Sequence, residues 1–159
     1  MNLVTLLRNQ ECKVEYITEY DPNWSDEEIL IGIKKLNCIG KGLEELPTMP
    51  NCKVLHCNRN SLRTLPALPN CEILCCSHNQ LRTIPAMSQA KIVDCFNNSI
   101  NILPDLPECR VLNCQNNDLG YLPNLPNIQS IDCSGNRLSR RDKVMYKMKC
   151  LFNQTFGCL

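Results

Sequence analysis

The sequence predicts a β-rich solenoid, a stack of short repeats that each add one strand to a parallel sheet. Six consecutive segments of 19 residues align without a gap, beginning at Ile33. The fourth and sixth positions are apolar in all six segments, and prolines recur in the second half of the first five. A strict period of this length indicates stacked units, because no single unit can bury its apolar face alone.

The chain has 159 residues, 43% of them hydrophobic, which suits one folded unit rather than a disordered chain. A solenoid exposes its core at both ends unless atypical units cover it. We therefore expect an N-terminal cap at residues 1–32, the repeats at residues 33–138 and a basic C-terminal cap at residues 139–159. The repeats span residues 33–51, 52–70, 71–89, 90–108, 109–127 and, as a partial sixth unit, 128–138.

Both caps carry signs of regular structure. Residues 12–20 alternate between apolar and polar types, which predicts a strand. Ser25 and Glu28 have the spacing of a capping box, which predicts a helix that leads into the first repeat. In the C-terminal cap, apolar residues at helical spacing predict a helix over the last coil. These residues are Val144, Met148, Leu151 and Phe152.

Each position of the repeat has a predicted role. Alternation places the fourth and sixth positions on the inward face of a short strand. The fourth row is Leu36, Leu55, Leu74, Val93, Leu112 and Ile131, and the sixth is Cys38, Cys57, Cys76, Cys95, Cys114 and Cys133. Asparagine at the ninth position of five repeats predicts a ladder that satisfies backbone groups where each strand turns away. Leu or Ile at the eleventh and fourteenth positions adds core layers, and the prolines that follow predict an extended, polyproline-like convex side.

This pattern of Leu, Pro, Cys and Asn resembles the short bacterial leucine-rich repeat of the YopM and IpaH effectors, which act inside host cells. The resemblance covers residues 33 to 140 and implies parallel strands on a concave face, extended segments on the convex face and a protein partner. The repeat is at the short extreme, with Cys where the family more often has Leu. The ubiquitin-ligase domain of IpaH has no counterpart here, so the resemblance implies no ligase activity. The cysteine-rich repeats also resemble reading frames of large DNA viruses of amoebae.

The thirteen cysteines do not predict a disulfide framework. The first twelve residues have too short an apolar stretch and no basic lead for a signal peptide, so we expect an intracellular protein in a reducing compartment. Nine cysteines are explained as small buried core residues, six at the sixth position and three at the first. The three are Cys52, Cys71 and Cys109. The exposure and reactivity of Cys12, Cys75, Cys150 and Cys158 stay open.

The charge distribution narrows the partner classes. A net charge of +1 argues against a nucleic-acid-wrapping protein, and no apolar run reaches the roughly 20 residues of a membrane span. Residues 137–159 nevertheless hold six basic side chains and one acidic one. The basic end comprises Arg137, Arg140, Arg141, Lys143, Lys147 and Lys149. It either meets an acidic partner or forms the solvated face of a cap helix, and head-to-tail attraction to the acidic N-terminal third is a third interpretation.

The strand residues that face away from the core predict the binding surface. Four adjacent β-branched residues form an apolar stripe, and Phe96 supplies an aromatic anchor with polar neighbours. The predicted surface comprises Val54, His56, Ile73, Cys75, Ile92, Asp94, Phe96, Val111, Asn113 and Gln115.

Catalysis and metal binding are disfavoured at this surface. His56, Cys75 and Asp94 lie on successive predicted strands, but a Cys–His–Asp mechanism needs the histidine in the middle, where the cysteine stands. A metal site from His56, Cys75 and His78 would lack a fourth ligand. The sequence has no phosphate-binding glycine loop, HExxH or nucleophile elbow. We expect no catalytic residue, metal or cofactor.

The leading hypothesis is therefore a non-enzymatic module that binds another protein through the concave face and the basic end. The alternative is a structural subunit of a viral particle or other large assembly, which would associate with its own copies or a scaffold. No residue pattern identifies the partner or the source.

Overall fold

The computed structural model describes residues 2–16 and 18–139. It begins with helix α1 (Leu3–Arg8), strand β1 (Lys13–Tyr16) and helix α2 (Asp26–Gly32). Six strands follow: β2 (Ile33–Asn37), β3 (Val54–His56), β4 (Ile73–Cys75), β5 (Ile92–Asp94), β6 (Val111–Asn113) and β7 (Ser130–Asp132). The seven strands form one sheet in chain order, with β1 antiparallel to β2 and each later pair parallel.

Neighbouring parallel strands pair residues that are 19 positions apart. Lys35 lies opposite Val54, which lies opposite Ile73, and the same step continues to Ser130. Equivalent positions of the repeat therefore form rows along the sheet, about 4.8 Å from coil to coil. The solenoid predicted from the period is confirmed.

The core follows the predicted rows, except that Leu65, Leu122 and Cys133 are only partly buried. The row from Leu36 to Ile131 is at most 2% exposed, and the cysteine row from Cys38 to Cys114 is fully buried. Because β3 to β7 have only three residues, the cysteines lie just beyond the strands, at the start of the turn. The convex segments after each leucine at the eleventh position contain no helix in the described repeats, as predicted.

One core row was not anticipated from the sequence. It lies at the seventeenth position of the repeat, and its members are at most 3% exposed. They are Met49, Leu68, Met87, Leu106 and Leu125. The eleventh, fourteenth and seventeenth positions are three residues apart, and a polyproline-like segment with three residues per turn points all three in one direction. The period of three is the signal that locates this row.

The asparagine ladder is present. The Asn98 side chain donates from Nδ2 to the carbonyls of Cys76 and Cys95, both at 3.1 Å, and accepts from the Leu81 amide at 2.9 Å. The other members of the row bond in the same way, each joining its own coil to the preceding one. They are Asn60, Asn79, Asn117 and Asn136. The ladder thus closes the turn and connects the coils with one side chain.

The position before the ladder adopts a left-handed backbone in every repeat, with φ between 50° and 68°. The residues are Gly40, Arg59, His78, Asn97, Asn116 and Gly135. Glycine and asparagine tolerate this region best, so four of the six fit the requirement. At Gly135 a Cβ would also collide with the Asn116 side chain, so glycine is required there on two grounds.

The N-terminal residues pack onto the repeats. The predicted capping box is present: the Glu28 amide donates to Ser25 Oγ at 3.2 Å, and the Ser25 amide donates to Glu28 Oε2 at 2.7 Å. Helix α1 was not predicted, because six residues are too short to show a helical period. Its apolar side chains join the common core of the repeats, and Arg8 pairs with Asp26 of α2 at 2.7 Å.

Two further sequence predictions concern spans and the C-terminus. Neither described helix has the length and apolar character to cross a bilayer. Val144, Met148, Leu151 and Phe152, proposed to form a helix, lie outside the described residues, as do Cys150 and Cys158.

The core thiols are held in their neutral form. Nine of the described cysteines are free and buried. Burial raises the pKa of Cys71 from the ordinary value of 9.0 to about 12, and it raises the pKa of Cys52 to about 11. The Cys71 thiol also donates to the Ile73 carbonyl at 3.3 Å. These cysteines behave as small apolar residues with a weak donor.

We predict that Asn98→Ala lowers the free energy of unfolding by about 2 to 3 kcal/mol, because it leaves buried carbonyls and an amide without partners. Urea denaturation followed by circular dichroism measures the change. Asn101→Ala in the same repeat is the control, since Asn101 is exposed and lies outside the ladder, and its effect should stay within about 0.5 kcal/mol. Equal stabilities of the two variants would contradict the ladder's role.

We predict that alkaline pH destabilises the fold through the core thiols. A thiol whose folded pKa lies above its unfolded value contributes stability that is complete below pH 9.0 and is lost as the pH rises toward 12. Cys71→Val removes one such group. The free energy of unfolding of this variant should therefore fall less steeply with pH than that of the parent chain, and the two slopes should differ by about 1 kcal/mol per pH unit. Denaturant titrations at several pH values measure both slopes, and parallel slopes would show that Cys71 does not titrate as described.

Candidate functional site

The concave face is the outward side of β3 to β6, where equivalent residues stand side by side. Val54, Ile73, Ile92 and Val111 are paired directly across neighbouring strands, and each is half-buried. Successive residues are one strand spacing apart, so the four form a continuous apolar row about 15 Å long. We call these four residues the apolar row.

The next outward position is more closed than an open surface would be. Cys75 is fully buried, Asp94 is 8% exposed and Asn113 is 7% exposed, while His56 is half-buried. Asp94 accepts from the Phe96 amide at 3.3 Å, and Asn113 accepts from the Gln115 side-chain amide at 3.1 Å. The Asp94 and Asn113 side chains bend back over the strand end, because their oxygens accept from the backbone amides two residues later. They form the floor of the concave face rather than its contact layer.

Two titratable groups in this floor are shifted by burial. Burial raises the pKa of Asp94, although the bond from the Phe96 amide opposes the shift. Burial also lowers the pKa of His56, which keeps its imidazole neutral near pH 7. His56 Nδ1 is buried and has no hydrogen-bond partner among the described residues.

Phe96 projects beside β5 and contacts a neighbouring ring. The Phe96 and His78 ring centroids are 4.9 Å apart and nearly perpendicular, and His78 Nδ1 lies 3.0 Å from Asn97 Nδ2. His78 has a left-handed backbone, with φ of 55°. The sequence analysis treats His78 only as a possible metal ligand. His78 lies 19 residues before Asn97, and Phe96 directly precedes Asn97, so the repeat period places the two rings on neighbouring coils.

The catalytic and metal alternatives have no supporting geometry in the described residues. His56 is paired with Cys75, and Cys75 with Asp94, so the cysteine lies in the middle. Cys75 is not a free thiol. Within residues 2–16 and 18–139, no three His, Cys, Asp or Glu side chains are grouped to hold a metal ion.

The basic end is described at one residue. The Arg137 guanidinium pairs with the Asp118 carboxylate at 2.9 Å, and its side chain is 77% exposed. Arg140, Arg141, Lys143, Lys147 and Lys149 lie outside the described residues.

Comparisons with known proteins identify the architecture. No protein-family model and no curated protein sequence matches the chain. Among solved structures, the chain is similar to YopM, described as a leucine-rich effector protein from Yersinia pestis, with a TM-score of 0.56 and 30% sequence identity. The similarity covers 65% of this chain and 37% of YopM, so the chain spans little more than a third of that protein. Together with the 19-residue register, the cysteine and asparagine rows and the extended convex side, this similarity shows that the chain has a leucine-rich-repeat solenoid similar to that of YopM.

Proposed function

We propose that the chain is a non-enzymatic module that binds a partner protein through its concave face. The observation that carries the proposal is the apolar row beside the Phe96–His78 ring pair, a patch with few charges on the sheet face. Depletion of charge around an aromatic anchor is typical of the centre of a protein interface. The folded-back polar floor gives this patch a fixed shape, so little ordering is needed when a partner binds.

The partner chemistry follows from the same residues. Ile73 and Ile92 favour an apolar side chain of the partner, Phe96 offers a ring edge and face, and the exposed part of Gln115 adds a polar contact. A row about 15 Å long accommodates an extended segment of about four residues. The sequence-predicted surface therefore divides into a contact layer and the supporting floor of Cys75, Asp94 and Asn113.

The setting of this interaction is also part of the proposal. The buried free cysteines of the core suit a reducing compartment, where disulfides are rare, whereas Cys75 of the concave face is disulfide-bonded. Similarity to an effector protein supports a partner in a host cell. We assign the basic end a secondary, electrostatic role, because Arg137 remains largely exposed despite its bond to Asp118.

We predict that Ile73→Asp and Phe96→Ala each weaken partner binding by more than tenfold, because each removes a central apolar contact. Quantitative affinity capture from a host-cell lysate measures the retained partners. Ile102→Asp and Tyr121→Ala are matched controls, since these side chains are 50% and 53% exposed and lie away from the concave face. Retention of every partner by both concave-face variants would refute the proposed site.

We predict that the protein is a monomer of 18.1 kDa at low and high salt, as expected of an adaptor. Size-exclusion chromatography with light scattering at two salt concentrations measures the mass. Larger species that dissociate when salt is raised would instead support the structural-subunit alternative, because head-to-tail contact between oppositely charged ends is screened by salt.

A further inference from the structure

We propose that a second site, on the flank of the solenoid beyond the asparagine ladder, binds a single phosphoryl group on a protein segment. The site is a groove of about 500 Å³ lined by Arg63, Gln80, Arg82 and Ser99. We call it the flank groove. It is separate from the concave face, so the proposal does not depend on the function proposed for that face.

The groove is built on a fixed backbone. The Gln80 amide donates to the Leu62 carbonyl at 2.9 Å, and the Ser99 amide donates to the Leu81 carbonyl at 2.9 Å. These bonds lock successive coils together directly after the ladder. Arg63 and Arg82 occupy the same position of adjacent repeats, so their attachment points are about 5 Å apart. Two guanidinium groups at this spacing can approach one anion from two sides.

The two positive charges are uncompensated. Among the described residues, neither Arg63 nor Arg82 forms an ion pair or a side-chain hydrogen bond. The lysines on the other rim of the solenoid differ, because Glu72 lies 2.6 Å from Lys91 and 3.7 Å from Lys53. The flank groove therefore holds two adjacent cations that form no ion pair among these residues, and the acidic side chains of Glu44 and Glu45 line the neighbouring groove together with Arg63.

The donor set fits a phosphoryl group better than a carboxylate. One guanidinium fork can engage both oxygens of a carboxylate, which carries a single negative charge. A phosphoryl group has three oxygens and a charge near −2, so it can accept from two arginines and from a hydroxyl or amide. Ser99 and Gln80 supply these additional donors.

The surroundings favour a phosphorylated protein segment over a nucleic acid. The row of Arg63 and Arg82 continues to Glu44 on one side and to Asn101 on the other. A strand of nucleic acid needs a basic path that follows several phosphates, and this row has only two cations. The groove continues into a neighbouring one of about 750 Å³ that is lined by Glu44 and Glu45. Their carboxylates would repel a second phosphate and attract a lysine or arginine close to the first.

The test uses the full chain and a short synthetic peptide that carries one phosphoserine and one lysine. NMR signals of the arginine Nε–H groups are followed at constant ionic strength. We expect saturable shifts of Arg63 and Arg82 with this peptide, weaker shifts with inorganic phosphate, and none with the unphosphorylated peptide. Arg63→Gln and Arg82→Gln should each weaken phosphopeptide binding at least tenfold.

Arg110→Gln is the matched control, because Arg110 is exposed and has no ion pair among the described residues but lies on the other rim. It should bind the phosphopeptide like the parent chain. Equal shifts at Arg110, or unchanged affinity in both groove variants, would overturn the proposal. Tighter binding of a single-stranded oligonucleotide than of the phosphopeptide would overturn it as well, because the site would then bind a polyanion rather than a single phosphoryl group.

Discussion

The asparagine ladder is the interaction on which the rest of the solenoid depends. Each short strand must turn away from the sheet, and the turn leaves backbone groups in a region that water does not reach. One asparagine per repeat satisfies carbonyls of its own coil and of the preceding coil, together with an amide of the preceding coil. The same bonds therefore close the turn and hold neighbouring coils in register. Because buried backbone groups without partners are costly, any other stagger between coils would be disfavoured.

The register between coils places equivalent residues of neighbouring repeats side by side, so that they form continuous surfaces. A β-branched residue on one strand contacts its equivalents on the next, and four such residues make the apolar row of the concave face. On the flank, the same step brings Arg63 beside Arg82. The two surfaces lie on opposite sides of the ladder, and both have backbones fixed by bonds between coils. Each coil contacts only its neighbours, so a site on this solenoid is as long as the run of adjacent repeats with suitable residues.

The cysteine row is coupled to the ladder. Its carbonyls accept from the asparagine amides, and its side chains fill the narrow space where strand and turn meet. A small side chain is suited to this place because the ladder already brings the backbone of two coils close together. Burial raises the pKa of the thiols and keeps them protonated, so they pack as small apolar side chains. No disulfide joins the members of the cysteine row from Cys38 to Cys114.

The 19-residue period predicts the solenoid, its strand register and the roles of the leucine, cysteine and asparagine rows, because each coil contacts only its neighbours and one repeat therefore sets the contacts of the next. The capping box of α2 was equally readable, since it is formed by residues three apart. The tertiary structure alone decided the rest. Helix α1 is too short to show a period and depends on packing against the repeats. The contact of Phe96 with His78, the closed floor around Asp94 and the unpaired state of Arg63 and Arg82 all depend on where side chains lie between coils, and a period does not specify their positions.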